Sequence, residues 1–293
     1  MHSETVMQFP TSHIHPPQGP HTHTVILLHG RGSDGPEFAE EFFSCTTSNS
    51  QSLAWHLPTY RWVFPTSRER WSATFQEEMC SWFEACSVDD PHERQELQKD
   101  GLRESVLRIL SILETEAGLL SGQLDKIYLG GISQGMATAL WTFLAGVGTG
   151  RIQTPLAGLL GFCGWLPFPQ LLENLPETPD ESYIPRIQRL VSEFFLGESS
   201  YHGPLQANSP TDMLVLSTPL FLAHGADDVW VSVDLGRQAF RILQKVMVHV
   251  EWKEFNGADN DGHWIKEPDG FDWVLEFLDS SLGVGSSSHH NSS

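Results

Sequence analysis

The sequence predicts an α/β fold, a mostly parallel central sheet covered by helices on both faces. Two observations lead there. Short apolar, β-branched runs alternate with helix-like segments along most of the chain, the order that builds a parallel sheet. One of those runs passes through Gly130-Gly131 straight into a helix-forming segment, a tight strand-to-helix turn. The length of 293 residues suits one open-sheet unit with a sizeable core, and no internal repeat breaks the pattern.

Taken in order, residues 1–21 are rich in His and Pro and read as a flexible arm; His13, His15, His21 and His23 belong to solvated, Pro-punctuated chain rather than to a metal site. Val25 to Leu28 is the first strand, ending at His29-Gly30, and a helix starts near Asp34 and Pro36. Trp62 to Phe64 is a second strand, closed by Pro65. Leu102, Val106, Ile109, Leu110 and Leu113 recur at helical spacing within 102–119. Lys126 to Leu129 is a strand and a helix follows to about Leu144. Further strands are expected over 156–162, 220–223 and 248–255, with helices over 235–245 and 271–278.

The stretch 167–216 interrupts this rhythm and reads as an insertion, with a helix over Ile184 to Phe195. Its apolar face, Ile187, Leu190, Val191, Phe194, Phe195 and Leu196, suits either a lid over a site or packing on the core. Residues 282–293 are Gly, Ser, His and Asn and form a disordered tail, leaving 22–281 as the folded domain.

Seventeen basic against 37 acidic side chains give a net charge of −20, which excludes nucleic acid and anionic lipid surfaces as electrostatic partners. Cys45, Cys80, Cys86 and Cys163 match no zinc spacing and read as reduced thiols of a cytoplasmic protein. No basic start followed by an apolar run marks a secretory leader, and no stretch reaches the length of a membrane span.

The chemistry centres on Gly131-Ile132-Ser133-Gln134-Gly135. With a strand before it and a helix after it, Gly-x-Ser-x-Gly holds a serine on a tight elbow. A serine hydroxyl is a weak nucleophile and needs a base, usually His, which needs a carboxylate to orient it. In this arrangement they follow in the order Ser, acid, His. His263 lies between a strand and the last helix and is the expected base. His249 falls inside a strand, His224 comes too early, and His289 and His290 are in the tail. Asp227 and Asp228, after the strand ending near Ala223, both have the spacing for the acid; Asp259 and Asp261 are too local to His263. The oxyanion donors are expected from the backbone N–H of Gln134 and, after the early strand, of Arg31.

His29-Gly30-Arg31-Gly32, Met79-Cys80-Ser81-Trp82-Phe83, Gly131 to Gly135, Gly164-Trp165-Leu166-Pro167, His224-Gly225-Ala226-Asp227-Asp228 and Gly262-His263 occur in one order. Together, over roughly residues 22–281, they resemble the acyl-protein thioesterase/carboxylesterase family, also called the phospholipase/carboxylesterase family, of α/β-hydrolases. The resemblance implies that the acid is Asp228 and supports Arg31 and Gln134. It also implies an acyl site near Trp82, Trp165, Leu166 and Trp230. Three departures stand out: Ile132 where the family has an aromatic, a longer segment after Leu166-Pro167, and Trp230 in place of a smaller aliphatic residue. The implied activity is hydrolysis of acyl-protein thioesters or fatty-acyl esters through an acyl-enzyme, with no metal or organic cofactor. A short-chain carboxylesterase or lysophospholipase is the alternative, and a non-catalytic binding protein of this fold is a more distant one.

Overall fold

The structure, a computed structural model, describes residues 8–87, 90, 93–173, 175, 183–196 and 212–280. Strands β1 (His13–His15), β2 (His23–Leu28), β3 (Tyr60–Phe64), β6 (Ile127–Ile132), β7 (Gly158–Phe162), β8 (Leu220–Gly225) and β9 (Val250–Phe255) form one sheet, in the order β1-β3-β2-β6-β7-β8-β9. All neighbours are parallel except β1 and β3. A separate hairpin pairs β4 (Arg68–Ser72) with β5 (Glu77–Ser81).

Alternate residues of β2 point to opposite layers. Ile26 and Leu28 pack with α3 (Gln98–Leu119), α4 (Gln134–Gly148) and α7 (Val233–Val246). Val25 and Leu27 pack with α1 (Gly35–Ser44), α2 (Leu53–His56) and α8 (Asp269–Ser280). With both faces covered, all six β2 residues are buried, which is why the run looked uniformly apolar. The α1 start is set by Asp34, whose carboxylate accepts the Glu37 N–H at 2.8 Å.

The register aligns the C-terminal ends of the central strands: Leu28 faces Gly131, Ile132 faces Phe162, Phe162 faces Ala223, and Gly225 faces Phe255. The chain leaves β2 for β3 on one side and later returns to β6 on the other. That reversal opens a crevice at the strand ends, where ligands bind in such sheets.

One expectation is revised and two features are added. Part of the expected loose arm is a strand: His13-Ile14-His15 pairs antiparallel with the outer edge of β3, with His15 packed on Phe43. The β4–β5 hairpin had no counterpart in the sequence reading. The apolar helix of the insertion, α6 (Tyr183–Val191) with a π-helical turn over Ser192–Leu196, lies on α4. Ile184, Ile187 and Val191 are buried there, and Trp141 of α4 stacks on Phe194 at 4.9 Å. The reason is in α4 itself. All fifteen of its residues are buried, so its outer apolar face needs a cover. The insertion also carries a short α5 (Gln170–Glu173), while its residues 174, 176–182 and 197–211, and the tail over 282–293, lie outside the described residues. Among the described residues no helix is long and apolar enough to cross a membrane.

Candidate active site

Ser133 stands between the end of β6 and the start of α4 with φ 55° and ψ −124°. A non-glycine residue in this region carries strain of about 1–3 kcal/mol and is held only by its surroundings. Here the Ser133 N–H donates to Phe162 O at 2.8 Å. Glycine is required on both sides: a Cβ at Gly135 would land on the Leu28 carbonyl, and one at Gly131 would lie 2.6 Å from Gly135 C. Strand and helix therefore approach closely enough to present the serine at the crevice.

Asp228 lies in the turn after β8. Its N–H donates to Gly225 O, and Oδ1 of Asp228 accepts the N–H groups of Trp230 and Val231, each at 2.9 Å. Oδ2 lies 2.7 Å from His263 Nδ1 and 3.2 Å from His224 Nε2. The carboxylate is fully enclosed. Burial opposes its ionisation, but the His224 and His263 donors and the Val231 N–H outweigh that and hold it well below the usual carboxylate range. Asp227 turns the other way and accepts the Gly257 N–H at 2.8 Å. The two adjacent carboxylates thus divide: one meets the imidazole and the other braces the histidine loop.

That loop, residues 256–268 between β9 and α8, is tied at several points. His263 N–H donates to Asn260 O, and Val229 N–H donates to Asp261 O. Glu267 Oε1 accepts both the N–H and the hydroxyl of Thr46, at 2.8 and 2.7 Å. Cys163, just past β7, is buried with its Sγ 3.6 Å from Trp264 O and 3.8 Å from Gly262 O, the carbonyls flanking His263. Cys163, Asp228 and His263 offer donor atoms within 4.8 Å of one another. Burial pushes the Cys163 thiol far up, and the other two groups already hold each other, so the three read as packing around an Asp–His pair.

The loop after β2 is braced as firmly. His29 is fully buried; its Nε2 accepts the Ser67 N–H at 3.0 Å and its Nδ1 faces Gly30 O at 2.6 Å. Burial lowers its pKa to about 4, which suits a neutral ring with one acceptor and one donor nitrogen. Gly32 N–H donates to Cys80 O at 2.8 Å. The Gln134 amide accepts the Trp82 N–H and donates to Phe83 O, both at 2.8 Å. Among the described residues, the backbone N–H groups of Arg31 and Gln134 have no acceptor.

Ser133, Gln134, Arg31, His263, Trp165 and Trp230 all line one cavity of about 710 Å³, within the usual range of ligand pockets. Among the described residues, Ser133 Oγ makes no hydrogen bond. Two expected acyl-site residues are elsewhere. Trp82 is fully buried behind the loop, its indole N–H bonded to His29 O at 2.8 Å. Leu166 is in the core on the side of α4 and does not line the cavity, whereas Trp165, in the same core, does. The sequence reading missed Phe75 and Met79 of the hairpin segment, which line the cavity, and His224 and Cys163 behind the Asp–His pair. His224 carried a signal, as first residue of the His-Gly-x-x-Asp motif; Cys163 carried none.

A mostly parallel sheet with a strained serine elbow at its C-terminal edge, followed in the chain by an Asp–His pair, is the α/β-hydrolase arrangement. The chain belongs to the Phospholipase/Carboxylesterase family, whose profile matches residues 10–191. Acyl-protein thioesterase 1 of Yarrowia lipolytica is 26% identical over 267 residues, covering 89% of this chain and 94% of that protein. Acyl-protein thioesterase 1 homolog 1 of Dictyostelium discoideum is 27% identical over 262 residues, covering 89% and 92%. Among solved structures, Zea mays acyl-protein thioesterase 2 superposes with a TM-score of 0.65 at 24% identity, covering 94% of this chain and all of that one. At that identity the superposition speaks for the fold. As a family member the chain is a serine hydrolase acting on ester or thioester bonds.

Proposed function

We propose that this protein is an acyl-protein thioesterase, with Ser133 as nucleophile, His263 as general base and Asp228 as its orienting acid. The observation that carries the reading is the 2.7 Å Asp228–His263 contact at the wall of the cavity that the strained Ser133 also lines. With Nδ1–H held by Asp228, His263 keeps Nε2 free to accept the Ser133 proton as Oγ attacks the acyl carbon. The negative charge moves to the carbonyl oxygen, where the N–H groups of Arg31 and Gln134 receive it. His263 returns the proton to the departing thiol sulfur or alcohol oxygen, leaving an acyl-Ser133 ester. Water, deprotonated by His263, then attacks that ester and releases the fatty acid. Acyl-protein thioesterases among its relatives and a cavity walled by Phe75, Met79, Trp165 and Trp230 support a long acyl chain. The four free cysteines support a cytoplasmic setting.

The test is kcat/KM over acyl lengths from acetyl to palmitoyl, as matched thioesters and oxygen esters, with Ser133→Ala as blank. A Ser133-dependent rise toward long thioesters is expected. A maximum at short oxygen esters would replace this reading with the carboxylesterase one, and activity surviving in Ser133→Ala would overturn the mechanism.

A further inference from the structure

Beneath the Asp228 carboxylate lies a second imidazole that the reaction above does not use. His224 is at the end of β8, four residues before Asp228, and is 1% exposed. Its Nε2 faces two acceptors, Val231 O at 2.9 Å and Asp228 Oδ2 at 3.2 Å. The second is the same oxygen that receives His263 Nδ1. Its other nitrogen, Nδ1, is buried with no partner. The structure makes room for the ring: a Cβ at Gly236 of α7 would collide with Nδ1. With acceptors only at Nε2, the proton belongs on Nε2.

We infer that His224 is a positioning residue for the hydrolase reaction, donating from Nε2 to Asp228 Oδ2 so that this oxygen is shared between two imidazoles. The inference rests on the proposed role of Asp228. Its physical content has two parts. The donor fixes the direction in which Oδ2 presents its remaining lone pair to His263. It also withdraws part of the carboxylate charge, so the positive charge that His263 gains during the reaction is stabilised less than by an undivided carboxylate.

The other charged or titratable groups facing this pair are few. Glu254 of β9 lies close enough to His224 to interact with it and is itself held by Arg237 of α7, at 2.6 and 2.8 Å. Cys163 faces Asp228 from the end of β7, and Asp227 acts on the same thiol. Around the cavity, Arg31, Glu37, Glu41, Glu77 and Asp259 share the lining with His263. Of all these groups, only Cys163 also engages the Asp228 carboxylate, through a side-chain hydrogen bond from its thiol.

The test compares His224→Phe, which keeps a ring but no donor, with His224→Gln, whose amide N–H can restore one. For His224→Phe we expect kcat to fall ~10- to 100-fold with KM nearly unchanged. The acid limb of the pH–kcat/KM profile should move up by roughly half to one unit, because the undivided carboxylate favours the His263 cation. His224→Gln should return the limb toward its original position. A His224→Phe profile that superimposes on that of the unsubstituted protein, or no difference between the two variants, would overturn the inference. Asp228→Asn separates it from the reading beneath it. Loss of activity there, with an unmoved His224→Phe profile, rejects only the role of His224, whereas undiminished Asp228→Asn activity rejects the acid itself. Should His224→Phe fail to fold, nitrogen-15 NMR of the intact chain labelled at His decides: the Nε2–H tautomer is expected at His224, and the Nδ1–H tautomer overturns the assignment.

Discussion

Two excursions leave the sheet of this protein, and they do opposite things. The β4–β5 hairpin rises between β3 and α3 and, with the segment after it, supplies Phe75, Met79 and Ala85 to the cavity. The insertion between β7 and β8 sends α6 to the outer face of α4, and none of its described residues touches the cavity. The helix with the conspicuous apolar stripe serves the core. The hairpin, with strands Arg-Glu-Arg-Trp-Ser and Glu-Glu-Met-Cys-Ser, serves the site. An apolar face reports that something must cover it, and the nearest uncovered apolar surface is usually another helix.

The comparison is broken most forcefully from the insertion side. Ile187 is completely buried against the core, so Ile187→Asp leaves a charge without a partner. It should cost at least ~3 kcal/mol, and lower Tm by roughly 10 °C. The ratio of activity on long to short acyl substrates in the folded fraction should stay unchanged. Calorimetry and the acyl-length series check this together; a changed ratio would return the insertion to the site.

Next in size is a pH effect on the hairpin side. His29 accepts the N–H of Ser67, the residue just before β4. Burial lowers its pKa to about 4 from an ordinary 6.5, so between those values the unfolded chain binds the proton that the folded one refuses. The stabilisation is complete above about pH 6.5 and disappears as pH falls toward 4, a change of about 3 kcal/mol. Urea unfolding at several pH values should show stability falling in that window, and less steeply in His29→Asn. Equal slopes in the two proteins would count against a neutral buried ring. His23, lowered to about 4 mainly by burial, gives the same sign and remains in both.

The same contrast explains how far the sequence was readable. Strand–helix alternation and the glycines of the serine elbow are local signals, and β2, β6, α4 and Ser133 stand where they point. Asp227 and Asp228 are not separated by spacing; the family resemblance favours Asp228, and the turn after β8 brings that one to His263. Trp165 and Leu166 are neighbours and both belong to the core, yet only Trp165 also reaches the cavity wall, a difference that spacing along the chain does not reveal. Trp82 resembled a substrate contact through its motif, while its indole N–H had a backbone partner that no spacing reveals. The hairpin escaped because two exposed strands need no apolar run.

Phe75→Ala sharpens the comparison at smaller amplitude. The ring is 42% exposed, lines the cavity, and has the Arg31 guanidinium 4.8 Å from its centroid. Its removal should raise KM for long acyl substrates about tenfold, near 1.4 kcal/mol, and leave Tm within ~2 °C. Short substrates should be affected less. A uniform loss across chain lengths would mean that the ring supports the Arg31 loop rather than the acyl chain.

The smallest effect comes from the root of the hairpin. Glu104 of α3 holds two guanidiniums of β4, Arg68 and Arg70, the latter at 2.6 Å. Burial opposes ionisation of Glu104, but the Arg70 and Arg68 contacts prevail and hold its carboxyl below the usual range. The carboxylate is 35% exposed, so screening limits its contribution to stability to ~1 kcal/mol or less. The clamp ties the hairpin to α3, and β4 and β5 pair only with each other in their sheet. Glu104→Gln should therefore lower Tm by no more than ~3 °C while raising KM for long acyl chains two- to threefold. Added salt should weaken the unsubstituted protein's advantage as it screens the pair. A fall in Tm without a change in KM would show that the clamp only anchors α3, and that the wall keeps its position through the Gly32–Cys80 bond and the packing of Trp82.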